Sequence, residues 1–212
     1  MSPATTRSIT SKSQSKSKSQ HQQPQRSSSK QPLVFRFQND DTILRRILTE
    51  SKTIALIGAS DKPHRDSYHI MGLLLDYGYD VYPVNPILAT KKDDNDGNNI
   101  KLYNRTIYSS MKDSSMKDIS NIGIKIDLVN ISRRSDQVET IVNEILDIGD
   151  AKCIWFQIGV INDTATRKAV DNGLLVARDV CPYHELPRLG ITGPNNNNNS
   201  NNDKNNDNDN MY

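Results

Sequence analysis

Two short stretches of this sequence combine cationic side chains with small residues, a pairing suited to holding phosphate. Residues 58–67 read Gly58-Ala59-Ser60-Asp61-Lys62-Pro63-His64-Arg65-Asp66-Ser67. Gly58 and Ala59 are small enough for a ligand to approach the backbone, Ser60 offers a hydroxyl, and Lys62 and Arg65 supply charged donors. A helix starting just after them would aim its leading amides and the positive end of its dipole at the same place. The second stretch, Asn130-Ile131-Ser132-Arg133-Arg134-Ser135, sets two guanidinium groups side by side. The planar fork of Arg matches the oxygens of a phosphate. A third stretch, Phe156-Gln157-Ile158-Gly159-Val160, offers an amide, an apolar flank and a small turn residue, which suits the neutral part of an extended ligand.

Other chemistries are poorly provided for. Cys153 lies in an apolar run and reads as buried. Cys181, before Pro182, reads as a small structural residue at a turn, although a thiol there can also face a ligand thiol. His64, His69 and His184 have no placed nucleophile, and His184-Glu185 reads as a surface pair. No Ser-His-Asp arrangement and no metal-ligand spacing stands out. The chain is expected to bind a ligand rather than to catalyse a reaction.

These stretches need elements to position them. Thr53-Ile54-Ala55-Leu56-Ile57 is a continuous apolar run, the pattern of a strand buried on both faces. Residues 80–84, 125–131, 153–158 and 174–177 read as four more strands, with Pro83 awkward because it removes a ladder donor. Helical patterns alternate with them. Ile43, Leu44, Ile47 and Leu48 follow Asp40-Asp41; residues 67–77 run to Gly78; residues 138–148 run to Gly149; and Asn162-Asp163-Thr164 caps a helix reaching Gly173. This alternation predicts an α/β fold, a Rossmann-like three-layer sandwich on a mostly parallel five-stranded sheet with right-handed crossovers. In such a sheet a ligand binds outside the carboxyl ends of the strands, where strand order reverses. All three stretches follow strands.

The rest of the composition bounds the domain. The chain has 212 residues and a net charge of +2. Residues 1–38 hold seven Lys or Arg and no acid among Ser, Gln and Thr, and residues 191–212 are dominated by Asn. Neither segment can bury enough apolar area to offset ordering, so both are expected to be disordered, leaving residues 39–190 as one domain. The arm carries +7 and the tail −2, which leaves −3 on that domain. An acidic core argues against nucleic acid as its partner. The arm reads as a solubilising tail, with nucleic acid or an anionic membrane as alternative partners. No apolar run approaches a membrane span, and a cytoplasmic setting is expected. The Ser-rich, acid-poor start resembles mitochondrial or plastid transit peptides in composition but lacks their apolar face. Residues 91–100 read as a polar surface insertion, and the tandem SSMKD block at 109–118 reads as an exposed connection.

A dinucleotide-binding fingerprint fails here. It needs two further glycines where Ser60 and Pro63 stand, and an acid after the second strand where Val84-Asn85-Pro86 stands. A carboxylate there would hydrogen-bond ribose hydroxyls and repel a phosphorylated ribose, while neutral Asn85 does not. That counts against NAD and permits coenzyme A, whose ribose carries a 3′-phosphate. An NAD(P)-dependent oxidoreductase remains the alternative on the same fold.

Taken in order, Ile57-Gly58-Ala59-Ser60 with Lys62-Pro63 and Arg65, Pro83-Val84-Asn85-Pro86, Ser132-Arg133-Arg134, residues 155–160 and Asp179-Val180-Cys181-Pro182 resemble the small stand-alone coenzyme A-binding proteins. Those are similar to the N-terminal domain of the succinyl-CoA synthetase α subunit. The resemblance covers about residues 45–190. It implies coenzyme A, free or acylated, across the strand ends. Gly58, Ala59, Ser60 and Lys62 would lie near the phosphates, with Arg65 beside them. Val84, Asn85 and Pro86 would lie near the adenosine, and Ser132, Arg133, Arg134, Gln157, Ile158 and Gly159 along the rest. The family often carries Lys directly after the Val-Asn-Pro segment; this chain has Ile87, with Lys91 the nearest substitute. The synthetase's second domain, which carries its phosphorylated histidine, has no counterpart in this chain, so ligase activity is not implied.

Overall fold

The computed structural model describes residues 37–112 and 125–194. The basic arm as far as residue 36, the second SSMKD copy and the Asn-rich run from residue 195 lie outside the described residues.

Helix α1 (Asp41–Glu50) starts because the Asp40 carboxylate accepts from the Thr42 and Ile43 amides at 2.8 and 3.2 Å. It buries Leu44, Ile47 and Leu48. Strand β1 (Thr53–Ile57), helix α2 (Asp66–Asp76) and strand β2 (Asp80–Val84) come next. A small antiparallel hairpin of β3 (Lys101–Leu102) and β4 (Arg105–Thr106) succeeds them, turned by Tyr103 and Asn104 at φ 49° and 60°. The chain continues through β5 (Leu128–Ile131), α3 (Val138–Ile148), β6 (Cys153–Phe156), α4 (Asp163–Asp171), β7 (Leu175–Arg178) and α5 (Pro182–Arg188). Gly149 at φ 76° closes α3, and the Asn162 side chain accepts from the Ala165 amide at 2.9 Å to open α4.

The sheet is wholly parallel, in the order β2-β1-β5-β6-β7. Because strand side chains alternate, each strand feeds two cores. On one face Leu56, Leu128 and Trp155 pack with α1, α2 and α5; on the other Ile57, Val129 and Phe156 pack with α3 and α4. This is the three-layer Rossmann-like sandwich that the strand and helix patterns predict. Trp155 is fully buried and its Nε1 donates to the Val180 carbonyl at 2.7 Å, so it serves the core.

Pro83 is accommodated because β2 flanks the sheet. Its carbonyl accepts from the Tyr108 amide on the outer side at 2.9 Å. The nitrogen of the same residue faces that side too, so no ladder bond to β1 is lost. The Tyr108 bridge to Val84 also corrects one expectation: it draws the first SSMKD copy inward, and Met111 is buried in the second core. Residues 91–100 do form a polar excursion, pinned by the Lys92–Asn99 bridge.

At the opposite flank, Asn39 acts as a substitute strand. Its Nδ2 donates to the Arg178 carbonyl at 2.7 Å and its Oδ1 accepts from the Arg178 amide at 2.9 Å. Glu185 is buried and bonds Arg188, which also holds Asp41, so it does not pair with His184 at the surface.

Asp127 ties the amino ends of β1 and β6 together. Its carboxylate accepts from the Lys52 amide at 3.0 Å and the Thr53 hydroxyl at 3.0 Å, and pairs with Lys152 at 3.3 Å. Burial raises its pKa, but these bonds outweigh burial and hold the carboxyl below the ordinary range. A lowered folded pKa stabilises above the unfolded value, about 4, and that stabilisation is lost as pH falls through the lowered value. Asp127→Asn is therefore expected to lower the urea midpoint at pH 7 and to flatten its fall toward pH 3, about a unit below the unfolded carboxyl value. Parallel acid limbs for both proteins would count against this role.

Candidate functional site

The strand order reverses between β1 and β5. The chain leaves β1 through α2 toward β2, and leaves β5 through α3, on the other face, toward β6. The two loops part there and open a crevice at the carboxyl ends.

Gly58 stands at its base, with φ 89° and its amide donating to the Val84 carbonyl at 2.9 Å. A Cβ on Gly58 would collide with the Ser132 carbonyl oxygen and come within 2.8 Å of Arg133 Cδ. Here glycine is needed so that the β5 loop can cross. Ala59 is fully buried, and its carbonyl accepts from Asn85 Nδ2 at 2.7 Å. Ser60 Oγ accepts from the Lys62 amide at 3.1 Å and shapes the turn. Lys62 and Arg65 are exposed. Arg65 is the N-cap residue of α2 but offers no side-chain cap; its carbonyl accepts from the Tyr68 amide at 3.0 Å.

Asn85 is a joint as well as a lining residue. Besides its bond to Ala59, its Oδ1 accepts from the Ile87 and Leu88 amides at 3.0 and 3.3 Å. Val84 and Pro86 line a cleft of about 350 Å³ together with Ile57, Gly58, Arg133, Gln137 and Met111. Met111 and Gln137 were not among the residues singled out by sequence. Arg133 Nε donates to Gln137 Oε1 at 3.0 Å, which aims its stem along the cleft. Arg134 is exposed and paired with Asp136 at 2.9 Å.

Beyond the crevice, the β6 loop is laced to its neighbours. The Gly159 amide donates to Asp179 Oδ1 at 2.8 Å, and Ser135 Oγ donates to the Gly159 carbonyl at 3.2 Å. Asp179 holds φ 56°, an uncommon state for a non-glycine residue. Ile158 is 59% exposed on this platform. Gln157 is buried and its Nε2 donates to Asn130 Oδ1 at 3.3 Å. Two polar atoms remain buried without a partner among the described residues: Asn130 Nδ2 and Ser132 Oγ. Both lie at the end of β5, where strand order reverses. Asn130, a polar residue within an apolar strand, was legible as an anomaly; the Asp179–Gly159 link was not.

Cys181 is half-buried at the start of α5, and burial pushes its thiol up, so it is largely protonated near neutral pH. Cys153 is buried and its thiol is pushed up to about 11 by burial. Among the described residues no group of three His, Cys, Asp or Glu could hold a metal ion, and no helix is long and apolar enough to cross a membrane.

The sequence profile of the CoA binding domain matches residues 52–187, from just before β1 into α5. The chain belongs to the CoA-binding domain family. Its CoA-binding domain thus includes the whole parallel sheet and the loops that line the crevice. The uncharacterized protein YneT of Bacillus subtilis (strain 168) is 31% identical over 138 residues, 65% of this chain and 87% of that protein. A hypothetical protein of known structure from Pyrococcus horikoshii OT3 is 34% identical, with a TM-score of 0.58, over 71% of this chain and 92% of that one. A Thermus thermophilus structure at 24% identity and a TM-score of 0.57 covers 71% of this chain and 99% of that one, and shares the fold.

Proposed function

We propose that this protein binds coenzyme A, or an acyl-CoA, at the carboxyl ends of its parallel strands, and holds the ligand rather than transforming it. The observation that carries this reading is at the end of β2. Where a dinucleotide-binding sheet places a carboxylate for the ribose hydroxyls, this chain has Asn85. Its amide is committed at both ends to Ala59, Ile87 and Leu88. Asn85 itself carries no charge that would repel a phosphorylated ribose.

The residues present fit such a ligand. Lys62, Arg65 and the uncapped start of α2 suit the diphosphate. The cleft beside Val84, Pro86 and Arg133 suits the adenine side. Ser132 Oγ and Asn130 Nδ2, buried without partners among the described residues, would lie near the remaining arm, toward Gln157, Ile158 and Gly159. An unpaired buried polar group costs about 1–3 kcal/mol, which a ligand amide or an ordered water can offset. In support of holding rather than reacting, burial pushes the Cys181 thiol up, and His64, His69 and His184 are exposed.

Calorimetric titration with coenzyme A and with NADH tests this reading, beside native mass spectrometry of the protein as purified. Coenzyme A is expected to bind and to raise the thermal midpoint, by about 2.7 kcal/mol of stabilisation at a hundredfold excess over Kd. Tight NADH binding with no response to coenzyme A would end it.

A further inference from the structure

An ion pair joins the two segments that flank the crevice. Lys91 comes directly after the 3-10 turn (Leu88–Thr90) beyond β2, and its Nζ lies 2.8 Å from Asp61 Oδ2 in the β1 loop. The Lys91 side chain is 55% exposed and that of Asp61 25%, so a solute can reach the pair. In a sheet of this class the adenosine ribose lies between the diphosphate loop after β1 and the end of β2. Lys91 and Asp61 bridge those two segments. Asn85 cannot contribute a charge there, and its amide is already committed.

We propose that Asp61 is a built-in competitor: it holds Lys91 until a phosphate monoester on the adenosine ribose of a ligand displaces it. The exchange makes and breaks no covalent bond; one ion pair replaces another. An exposed carboxylate–ammonium pair is weak, whereas a doubly charged phosphate offers the same ammonium more charge and three acceptor oxygens. The exchange therefore runs toward the ligand, but less steeply than it would with Lys91 unopposed. Asp61 thereby sets how strongly the site prefers a phosphorylated ribose. This inference rests on the coenzyme A reading for its 3′-phosphate; the 2′-phosphate of NADP is the same chemistry from another source.

The test measures Kd for coenzyme A, 3′-dephospho-coenzyme A, NADP and NAD with wild-type protein, Asp61→Asn, Lys91→Ala and the double variant. Circular dichroism of each variant checks that it is folded. The readout is the preference for the phosphorylated member of each pair. Asp61→Asn is expected to raise that preference about two- to fivefold, the worth of an exposed pair. Lys91→Ala is expected to lower it roughly tenfold, the worth of one charge-assisted bond less the lost pair. The double variant is expected to match Lys91→Ala. These shifts on the coenzyme A pair support both readings. The same shifts on the NADP pair, with coenzyme A unbound, keep the Asp61 inference and end the coenzyme A reading. Coenzyme A binding with a preference indifferent to Lys91 or to Asp61 overturns the inference alone. Binding of none of the four ligands by the wild-type protein overturns both.

Discussion

Gly58→Ala is expected to destabilise the protein by about 2–5 kcal/mol and to abolish ligand binding at accessible concentrations. Two costs add. Gly58 sits at φ 89°, where any side chain is strained by about 1–2 kcal/mol. A Cβ also meets the Ser132 carbonyl, which is backbone and cannot swing aside. Forcing atoms into a packed site costs typically about 1–3 kcal/mol. Relief comes only if the β5 loop lifts away from β1, which carries Ser132 and Arg133 with it. Urea unfolding reads the first effect, and a coenzyme A titration on the folded fraction reads the second. A midpoint unchanged from wild type would mean that the β5 loop does not press against Gly58.

The largest effect on affinity without loss of fold is expected from removing Lys62 and Arg65 together. The Lys62 and Arg65 side chains are exposed, and Arg65 caps nothing, so truncation should leave the unfolding midpoint within about 0.5 kcal/mol of wild type. Each charge-assisted bond to a phosphate is worth about 1.5–3 kcal/mol. The double Lys62→Ala, Arg65→Ala variant should then weaken coenzyme A by on the order of a hundredfold or more. Its remaining affinity should depend less on salt. Arg134→Ala should weaken binding less, because that guanidinium must first leave Asp136. Calorimetry at low and high ionic strength decides the matter. Undiminished affinity in the double variant would place the diphosphate elsewhere.

Much of the scaffold was legible because its signals are local. β1 matches its apolar run at both ends, since a strand buried on two faces has no polar residue to blur it. Asp40, Asn162 and Gly149 announce helix ends through side-chain acceptors or a left-handed backbone that few residues adopt. β3 and β4 escaped notice because two-residue strands have no period to detect. α5 escaped because it is short and contains Pro187, although Pro182 at its first turn is a start signal. Within the site, the sequence placed cations, small residues and the missing acid at the strand ends. It could not reveal what each touches. That Gly58 yields to a crossing loop, that Asn85 serves as a joint, and that Asp179 steadies Gly159 all depend on residues distant in the chain.

Asn39 has a wider consequence. An outermost strand bares a row of amides and carbonyls on which a foreign strand can build. On the β7 side, a single carboxamide occupies that row at Arg178. On the β2 side, Pro83 lacks the hydrogen such growth requires, and Tyr108 lies across Val84. Each flank thus has some of its outward backbone groups already engaged, which is expected to hinder pairing with a strand from another molecule.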